Sequence, residues 1–416
     1  MAILESVKTA FKLPDLRKKI LFTLGMLALF RLGAHIPCPG FAEINDIQAN
    51  NILNLLDILS GGALKRMSIF AMSVNPYITA SIIMNLLQMI VPRLEKLAKE
   101  GVEGRRVISQ YTRYGTIVLG LIQGWAYAVA MKSGSMNNLT LIEVVILMTA
   151  GTMLLMWIGE LIQEYGIGNG ISLIIFAGIV ARLVPGAYQF ITTIGQGGAT
   201  SWYGALLMLA IGVAVVAFIV AVNEGQRRIP VQYAKRVVGR KMYGGQSTHI
   251  PLRVNQAGVI PIIFAVSILA FPPTLQNFFP DIKFFQTFAT WFSPSSIFYM
   301  AVYAVMIFGF TYFYTAVTFN PIEVSNNLKK YGGFVPGIRP GRSTAEYLDK
   351  VLTRITFAGA LFLTFVALLP NIAGSFFGTS LGFGGTSLLI AVGVAIDTMR
   401  QIEAHLVMRQ YEGFLK

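Results

Sequence analysis

The stretch SVNPYITASIIMNLLQMIV, residues 73–91, carries no charged side chain and is about as long as a membrane-crossing helix, which needs roughly 20 apolar residues. Similar apolar segments recur about ten times, near residues 20–38, 73–91, 114–131, 140–160, 170–185, 202–222, 255–275, 295–317, 351–370 and 383–399. The sequence of 416 residues is 55% hydrophobic and only 12% charged, which is too apolar for an ordinary soluble protein. The predicted fold class is all-α, a polytopic membrane protein with ten transmembrane helices.

Lysine and arginine residues are distributed unevenly between the predicted loops. Most of the 33 basic residues lie in alternate loops and in the two terminal tails. Because cytoplasmic loops carry the excess of cations, this distribution predicts that both termini are cytoplasmic. Three arginines fall within or at the ends of spans: Arg31, Arg182 and Arg354.

The ten spans divide into two sets of five, and an odd number per set makes the second half enter the membrane from the opposite side. Two matches at the same five-span offset support this inverted repeat: residues 76–80 with 261–265, and residues 172–175 with 387–390. We therefore expect two inverted five-helix halves around a central hourglass pore. The predicted organisation is a cytoplasmic amphipathic N-terminal segment (1–19), an N-terminal half (20–190), a C-terminal half (191–399) and a cytoplasmic C-terminal tail (400–416).

A segment at residues 52–64 is apolar but too short to cross a bilayer. Its apolar residues have helical spacing and precede two glycines: Ile52, Leu55, Leu56 and Leu59, then Gly61 and Gly62. Two interpretations fit this pattern. The segment is either a re-entrant helix on a glycine hinge or a lid lying on the outer surface.

Two inner loops, residues 223–254 and 318–350, are long and basic. Pro-Gly corners at 336–337 and 340–341 flank Arg339, so this cation is predicted to stand at a stiff tip. These cations either set membrane topology alone or form a docking surface, and the length of the loops favours docking. The candidate docking residues are Arg339, Arg240, Lys241, Arg236, Lys329 and Lys330.

Catalytic and metal-binding motifs are missing from the sequence. It contains no nucleophile elbow, no His-Glu-x-x-His and no phosphate-binding Gly-x-x-x-x-Gly-Lys-Ser/Thr motif, so an enzyme is not expected. A single cysteine and three scattered histidines predict neither a disulfide nor a metal site, and no cofactor is expected. The acids in or near spans, Glu143, Glu160 and Asp397, lie toward span ends, unlike the mid-membrane groups of ion-coupled transporters.

Five groups of residues resemble the SecY family of bacterial protein-conducting channels, and the resemblance extends over essentially the whole chain. They are FAMSVNPYITASII (70–83); Gly104-Arg105-Arg106 with Gln110 to Gly115; Trp157 and Glu160 with Gly166 to Ser172; Gln246 to His249 with Pro251; and Val335 to Gly341. Three positions depart from the family pattern: Ser73 where glycine is common, Asn85 where glutamine is usual, and Gln163 where a small hydroxyl residue is typical.

The resemblance implies a pore ring of aliphatic side chains. The repeat already aligns Ile78 with Ile263 and Ile175 with Ile390, and the family motifs add Val74 and Ile171. The resemblance also implies that residues 52–64 form a plug and that the second and seventh spans form a lateral gate. The candidate gate residues are Thr79, Asn85 and Phe271.

The function that the resemblance implies is that of the central subunit of a channel in the bacterial cytoplasmic membrane. Such a channel translocates unfolded, signal-bearing secretory polypeptides and releases transmembrane segments laterally into membrane lipids. The implied partners are the small membrane subunits SecE and SecG, the SecA ATPase and the translating ribosome. Two alternatives remain: a secondary transporter for a small solute, suggested by the inverted repeat, and a scaffold that conducts nothing.

Overall fold

Long α-helices make up most of the chain in the computed structural model. The structure describes residues 13–39, 60–130, 138–195, 202–233, 247–269, 296–377 and 385–414, two short strands at 236–238 and 241–243, and the isolated positions 11, 57, 272, 284, 287 and 290–292.

Each of the ten predicted spans overlaps one helix. The helices are α1 (Pro14–Gly33), α2 (Asn75–Ile90), α3 (Pro92–Lys99), α4 (Val102–Ala130), α5 (Asn138–Tyr165), α6 (Gly170–Gly195), α7 (Trp202–Glu224), α8 (Ile260–Leu269), α9 (Ile297–Thr318), α10 (Pro321–Lys330), α11 (Arg342–Phe377) and α12 (Gly385–Phe414). The two short, charged helices α3 and α10 lie between spans.

The helices differ in how well each would cross a membrane by itself. Among the described residues, three stretches are long and apolar enough: Leu139–Tyr165, Ile297–Lys330 and Arg342–Leu369. A fourth is the pair α2 and α3, whose axes bend by 101° at Val91. Gly170–Leu183, Ala210–Glu224 and Ile260–Leu269 are shorter apolar helices. The fold is therefore a polytopic helical membrane protein, as predicted.

The residues that the two halves share by sequence occupy equivalent places in their helices. Pro76 is the second residue of α2 and Pro261 the second residue of α8, where the missing amide hydrogen of proline costs least. Ser172 and Ser387 are the third residues of α6 and α12. The repeat alignment therefore pairs helices that begin in the same way.

One large hydrophobic cluster joins the two halves. It takes buried side chains from α1, α2, α5 and α6 in the first half and from α7, α8, α9, α11 and α12 in the second. Helix α2 packs against α8, and α6 packs against α12, so the paired helices of the repeat meet each other inside this cluster.

The glycine motif before α6 allows a close helix contact. A side chain at Gly170 would overlap the carbonyl oxygen of Gly159 on α5, so only glycine fits there. Gly168, two residues earlier, has a positive φ of 92°, which glycine adopts without strain. This turn positions the start of α6, which carries two of the predicted pore residues.

The long loop after α7 forms a β-hairpin, which the membrane-span pattern did not predict. Strand β1 (Gln226–Tyr233) pairs antiparallel with β4 (Ser247–Arg253) and, on its other edge, with β5 (Gly333–Phe334) from the second basic loop. Ile229, Val231 and Leu252 pack with Val335 and Leu348 in one small core. The two basic loops are thus one folded unit.

Candidate functional site

The six predicted pore residues belong to the cluster between the two halves. Val74, Ile78, Ile175 and Ile390 are buried in it, and Ile171 and Ile263 are half-buried and pack against it. They come from α2 or the residue before it, from α6, from α8 and from α12. The amide of Ile78 donates to the carbonyl of Val74 (3.0 Å), so these two side chains lie one helical turn apart. All six are therefore aliphatic residues of the cluster that joins the halves.

The predicted lateral gate lies where α2 packs against α8. Thr79 is buried, and its hydroxyl donates to the Asn75 carbonyl of its own helix (3.0 Å). Asn85 is half-buried further along α2. Phe271 lies outside the described residues. The two helices that would form the gate are therefore in contact with each other.

The predicted plug is described only near its end, because Ile52, Leu55, Leu56 and Leu59 lie outside the described residues. Gly61 and Gly62 both have positive φ, 69° and 89°, which supports the expectation that this pair forms a glycine turn. The Gly61 backbone touches α6: an added side-chain carbon there would lie 2.9 Å from the Cα of Gly178. The end of the segment is therefore seated against a helix that carries pore residues.

A buried ion pair joins this segment to α6. The carboxylate of Asp57 pairs with the guanidinium of Arg182, and Asp57 is only 1% exposed. Arg182 was predicted to lie within or at the end of a span, and its partner was not predicted from the sequence. The position of Arg182 inside a span was the sequence signal that it has a partner, because charged residues in spans are nearly always paired.

The backbone at Ser73 accounts for the glycine that is common at this position in the family. Ser73 has a positive φ of 51°, which strains any residue except glycine, and its buried hydroxyl lacks a hydrogen-bond partner in the described structure. Glycine is thus the residue that this backbone position favours.

We predict that Ser73→Gly stabilises the protein by about 1 kcal/mol. Relief of left-handed strain returns about 1–3 kcal/mol, and the greater freedom of glycine in the unfolded chain offsets about 0.5–1 kcal/mol. The thermal unfolding midpoint of the purified protein in detergent measures the change. Ser81→Gly, inside α2, is the matched control and should instead destabilise by about 0.5 kcal/mol. Equal losses in both variants would contradict the prediction.

Arg339 stands exposed at a well-supported tip. Gly337 and Gly341 have positive φ of 82° and 105°, and the Arg339 carbonyl accepts from the Thr344 hydroxyl (2.9 Å). The Ser325 hydroxyl donates to the Gly341 carbonyl (2.6 Å), which ties the tip to α10. The guanidinium is therefore presented on a fixed backbone.

The other predicted docking residues lie in the same region or are not described. Lys329 and Lys330 are exposed at the end of α10, beside the tip. Arg236 and Lys241 belong to the short strands β2 (Arg236–Val238) and β3 (Lys241–Tyr243), which pair antiparallel, and the structure does not describe their side chains. Arg240 lies outside the described residues. Within the described part of the chain, no group of three or more His, Cys, Asp or Glu could hold a metal ion.

Comparisons with known proteins agree with this architecture. The family model described as SecY matches residues 68–399. The protein translocase subunit SecY of Streptomyces griseus is 47% identical, and the match covers 98% of each chain. A solved structure of a SecY protein, whose plug domain stabilises the closed state of the translocation channel and maintains a membrane seal, is similar with a TM-score of 0.65 and 18% identity, over 96% of this chain and 97% of that one. Sec61 in the canine ribosome–channel complex from the endoplasmic reticulum is similar with a TM-score of 0.64 and 19% identity, over the same shares.

Proposed function

This chain belongs to the SecY family, and from that premise we propose how its residues carry polypeptides across a membrane. It is the central subunit of a protein-conducting translocation channel. The family is a family of channels, and we propose that the chain itself has no enzymatic activity.

The aliphatic ring is proposed as the constriction through which the polypeptide passes. An extended chain in lipid would bury unpaired N–H and C=O groups at several kcal/mol each, so it needs an aqueous path. Such a path must also hold back ions. Aliphatic side chains offer no hydrogen bonds to a passing chain, and a narrow apolar passage empties of water at rest.

The observation that carries this proposal is that the six proposed ring residues share one buried cluster. Four helices from two halves bring apolar side chains into one buried cluster, instead of facing them toward lipid. Contact between α2 and α8 supports the proposal that the channel opens sideways there to release apolar segments into lipid. The seating of Gly61 against α6 supports the proposal that residues 52–64 plug the outer funnel.

The energy for transport is proposed to come from a partner that docks on the basic tip. Arg339, Lys329 and Lys330 are exposed together, and their cations suit either an acidic protein surface or the phosphates of ribosomal RNA. We propose the SecA ATPase and the translating ribosome as these partners, with SecE and SecG as small membrane subunits. We further propose that the channel lies in the bacterial cytoplasmic membrane with both termini in the cytoplasm.

The alternative of a small-solute transporter is not supported, since the curated relative that matches over nearly the full length is a protein translocase subunit. A scaffold without conduction would differ from the proposed channel in one respect: no polypeptide would pass between its halves.

A crosslink to a stalled secretory polypeptide tests the proposal. We expect a photoreactive residue at position 78 or 263 to crosslink to a chain arrested midway through transport, because both positions face the proposed passage. The same probe at Ile146, an exposed position on α5, is the control and should not crosslink. Equal crosslinking at all three positions, or none at 78 and 263, would overturn the passage between the halves.

A further inference from the structure

Asp57 is held by four contacts near the end of the plug segment. Its carboxylate pairs with Arg182 of α6 and accepts from the backbone amide of Lys65 (2.8 Å). Its carbonyl oxygen accepts from the amide of Gly62 (2.8 Å) and from the Ser60 hydroxyl (3.0 Å). Since the carboxylate is almost fully buried, its charge depends on these partners.

Two arginines from different helices flank the glycine turn that follows. Arg31 of α1 donates from Nη1 to the Gly61 carbonyl (3.0 Å). The guanidinium of Arg182 lies beside Gly62, where an added side-chain carbon would be 3.4 Å from its Nε. Asp57 is therefore the acidic partner of one of these two cations, Arg182.

Arg182 lies on the same face of α6 as the pore residues. Ile171, Ile175, Gly178 and Arg182 follow one another at spacings of four, three and four residues, which places them on one helical stripe. At about 1.5 Å per residue, Arg182 stands about 10 Å beyond Ile175 along the helix axis. One helix face thus carries part of the ring and, outside it, the partner of Asp57.

We propose that the Asp57–Arg182 ion pair is a charge latch that holds the described end of the plug segment, Asp57 and the turn at Gly61 and Gly62, against α6 in the closed state. This inference rests on the proposed plug function of that segment. When the channel opens and the segment moves away from α6, Asp57 would move with it and Arg182 would remain on α6. The Arg182 side chain is already 34% exposed in the closed state. The pair therefore exists only in the closed state.

A buried ion pair suits a latch that must also release. Desolvation of the two charges cancels much of their attraction, so an intact pair adds only modestly to the stability of the closed state. Loss of either partner is costly, because it leaves the other charge buried without compensation. The latch therefore defines where the plug sits without preventing a docked partner from moving it.

The test is the ion conductance of the resting, assembled channel in planar bilayers. We expect Arg182→Gln to raise the open probability about 100-fold and Asp57→Asn about tenfold. Arg182→Gln has the larger effect because it leaves the nearly fully buried Asp57 carboxylate without its partner. Asp57→Asn leaves the Arg182 guanidinium unpaired, but that group is partly exposed. The double variant Asp57→Leu with Arg182→Met removes both charges and should stay closed like the native channel.

The matched control is a second ion pair, which joins Arg113 of α4 to Glu160 of α5 (2.7 Å) and is partly exposed. Arg113→Gln should leave conductance unchanged, because exposed pairs contribute little. If Asp57→Asn and Arg182→Gln conduct no more than Arg113→Gln at equal amounts of assembled channel, the latch is wrong. Leak from both single variants and equally from the apolar double variant would also overturn it, since charge pairing would then not be the cause.

Deletion of residues 52–60 separates the latch from the plug. A leak after deletion, without a leak in the two single variants, would contradict the latch and leave the plug function standing. A silent deletion variant would contradict the plug function itself.

Discussion

Replacing Ile78 with asparagine should make the resting channel leak ions about 10–100-fold faster than the native protein. An amide in an apolar constriction recovers about 1–3 kcal/mol of hydrogen bonding with water that isoleucine does not offer, and about 1.4 kcal/mol corresponds to a factor of ten. Ile175→Asn should act in the same way from α6, because Ile78 and Ile175 are both buried in the cluster between the halves. Conductance in planar bilayers, or ion efflux from vesicles that contain the purified channel, measures the leak.

Ile158→Asn is the control for the loss of packing. Ile158 is as deeply buried in the same cluster, but it belongs to α5, which supplies none of the predicted ring residues. This variant should be less stable without leaking, when leak is compared per assembled channel. Equal leaks in Ile78→Asn and Ile158→Asn would show that a polar group anywhere in the cluster lets ions through. The proposal that the ring residues form the seal would then be wrong. Silence at 78 and 175 would favour a scaffold.

Arg339→Glu should reduce motor-driven polypeptide transport about 100-fold while the chain still inserts into the membrane. A charge-assisted hydrogen bond contributes about 1.5–3 kcal/mol, and reversal of the charge adds repulsion to its loss. The fold should not suffer, because the tip is held by its backbone: Thr344 bonds the Arg339 carbonyl and Ser325 bonds the Gly341 carbonyl. Transport of a secretory protein into vesicles reconstituted with the channel and SecA is the measurement.

Arg342→Glu gives the matched control for charge at this surface. Arg342 lies three residues further along, its side chain is 93% exposed, and it pairs only with Glu346 in its own helix (3.0 Å). Transport should then stay close to native. Unchanged transport in Arg339→Glu, or an equal loss in both variants, would contradict docking through the tip.

The positions of the spans could be predicted because the signal is local. An apolar stretch such as residues 73–91 identifies itself without reference to the rest of the chain, and each predicted span overlaps a helix. The Pro-Gly corners around Arg339 were equally readable, since each corner depends on two neighbouring residues. The pairing of α2 with α8 and of α6 with α12 followed from the repeat, because the repeat relates distant helices by their order; the pore ring itself stays a prediction.

Contacts between unlike segments could not be predicted in this way. Asp57 and Arg182 lie far apart in the sequence, and no periodic pattern links a residue of the plug segment to one in the fifth span. The pairing of β1 with β5 depends on two loops from different places in the chain folding on one small core. Ser73 was noticed as a departure from the family pattern, but its strain is a property of φ that composition does not reveal.

The sharp bend between α2, the proposed gate helix, and the charged helix α3 limits how α2 can move. Helix α3 leaves α2 at 101° and carries Arg93, Glu95 and Lys96 in exposed or half-buried positions. Sliding α2 lengthwise, like a piston, would drag these charges into hydrocarbon at about 2.5–3.5 kcal/mol each. Tilting about α3 would avoid that cost, because α3 would then remain in the headgroup layer. If α2 and α8 part as proposed, the gap between them would therefore be widest at the end farthest from α3.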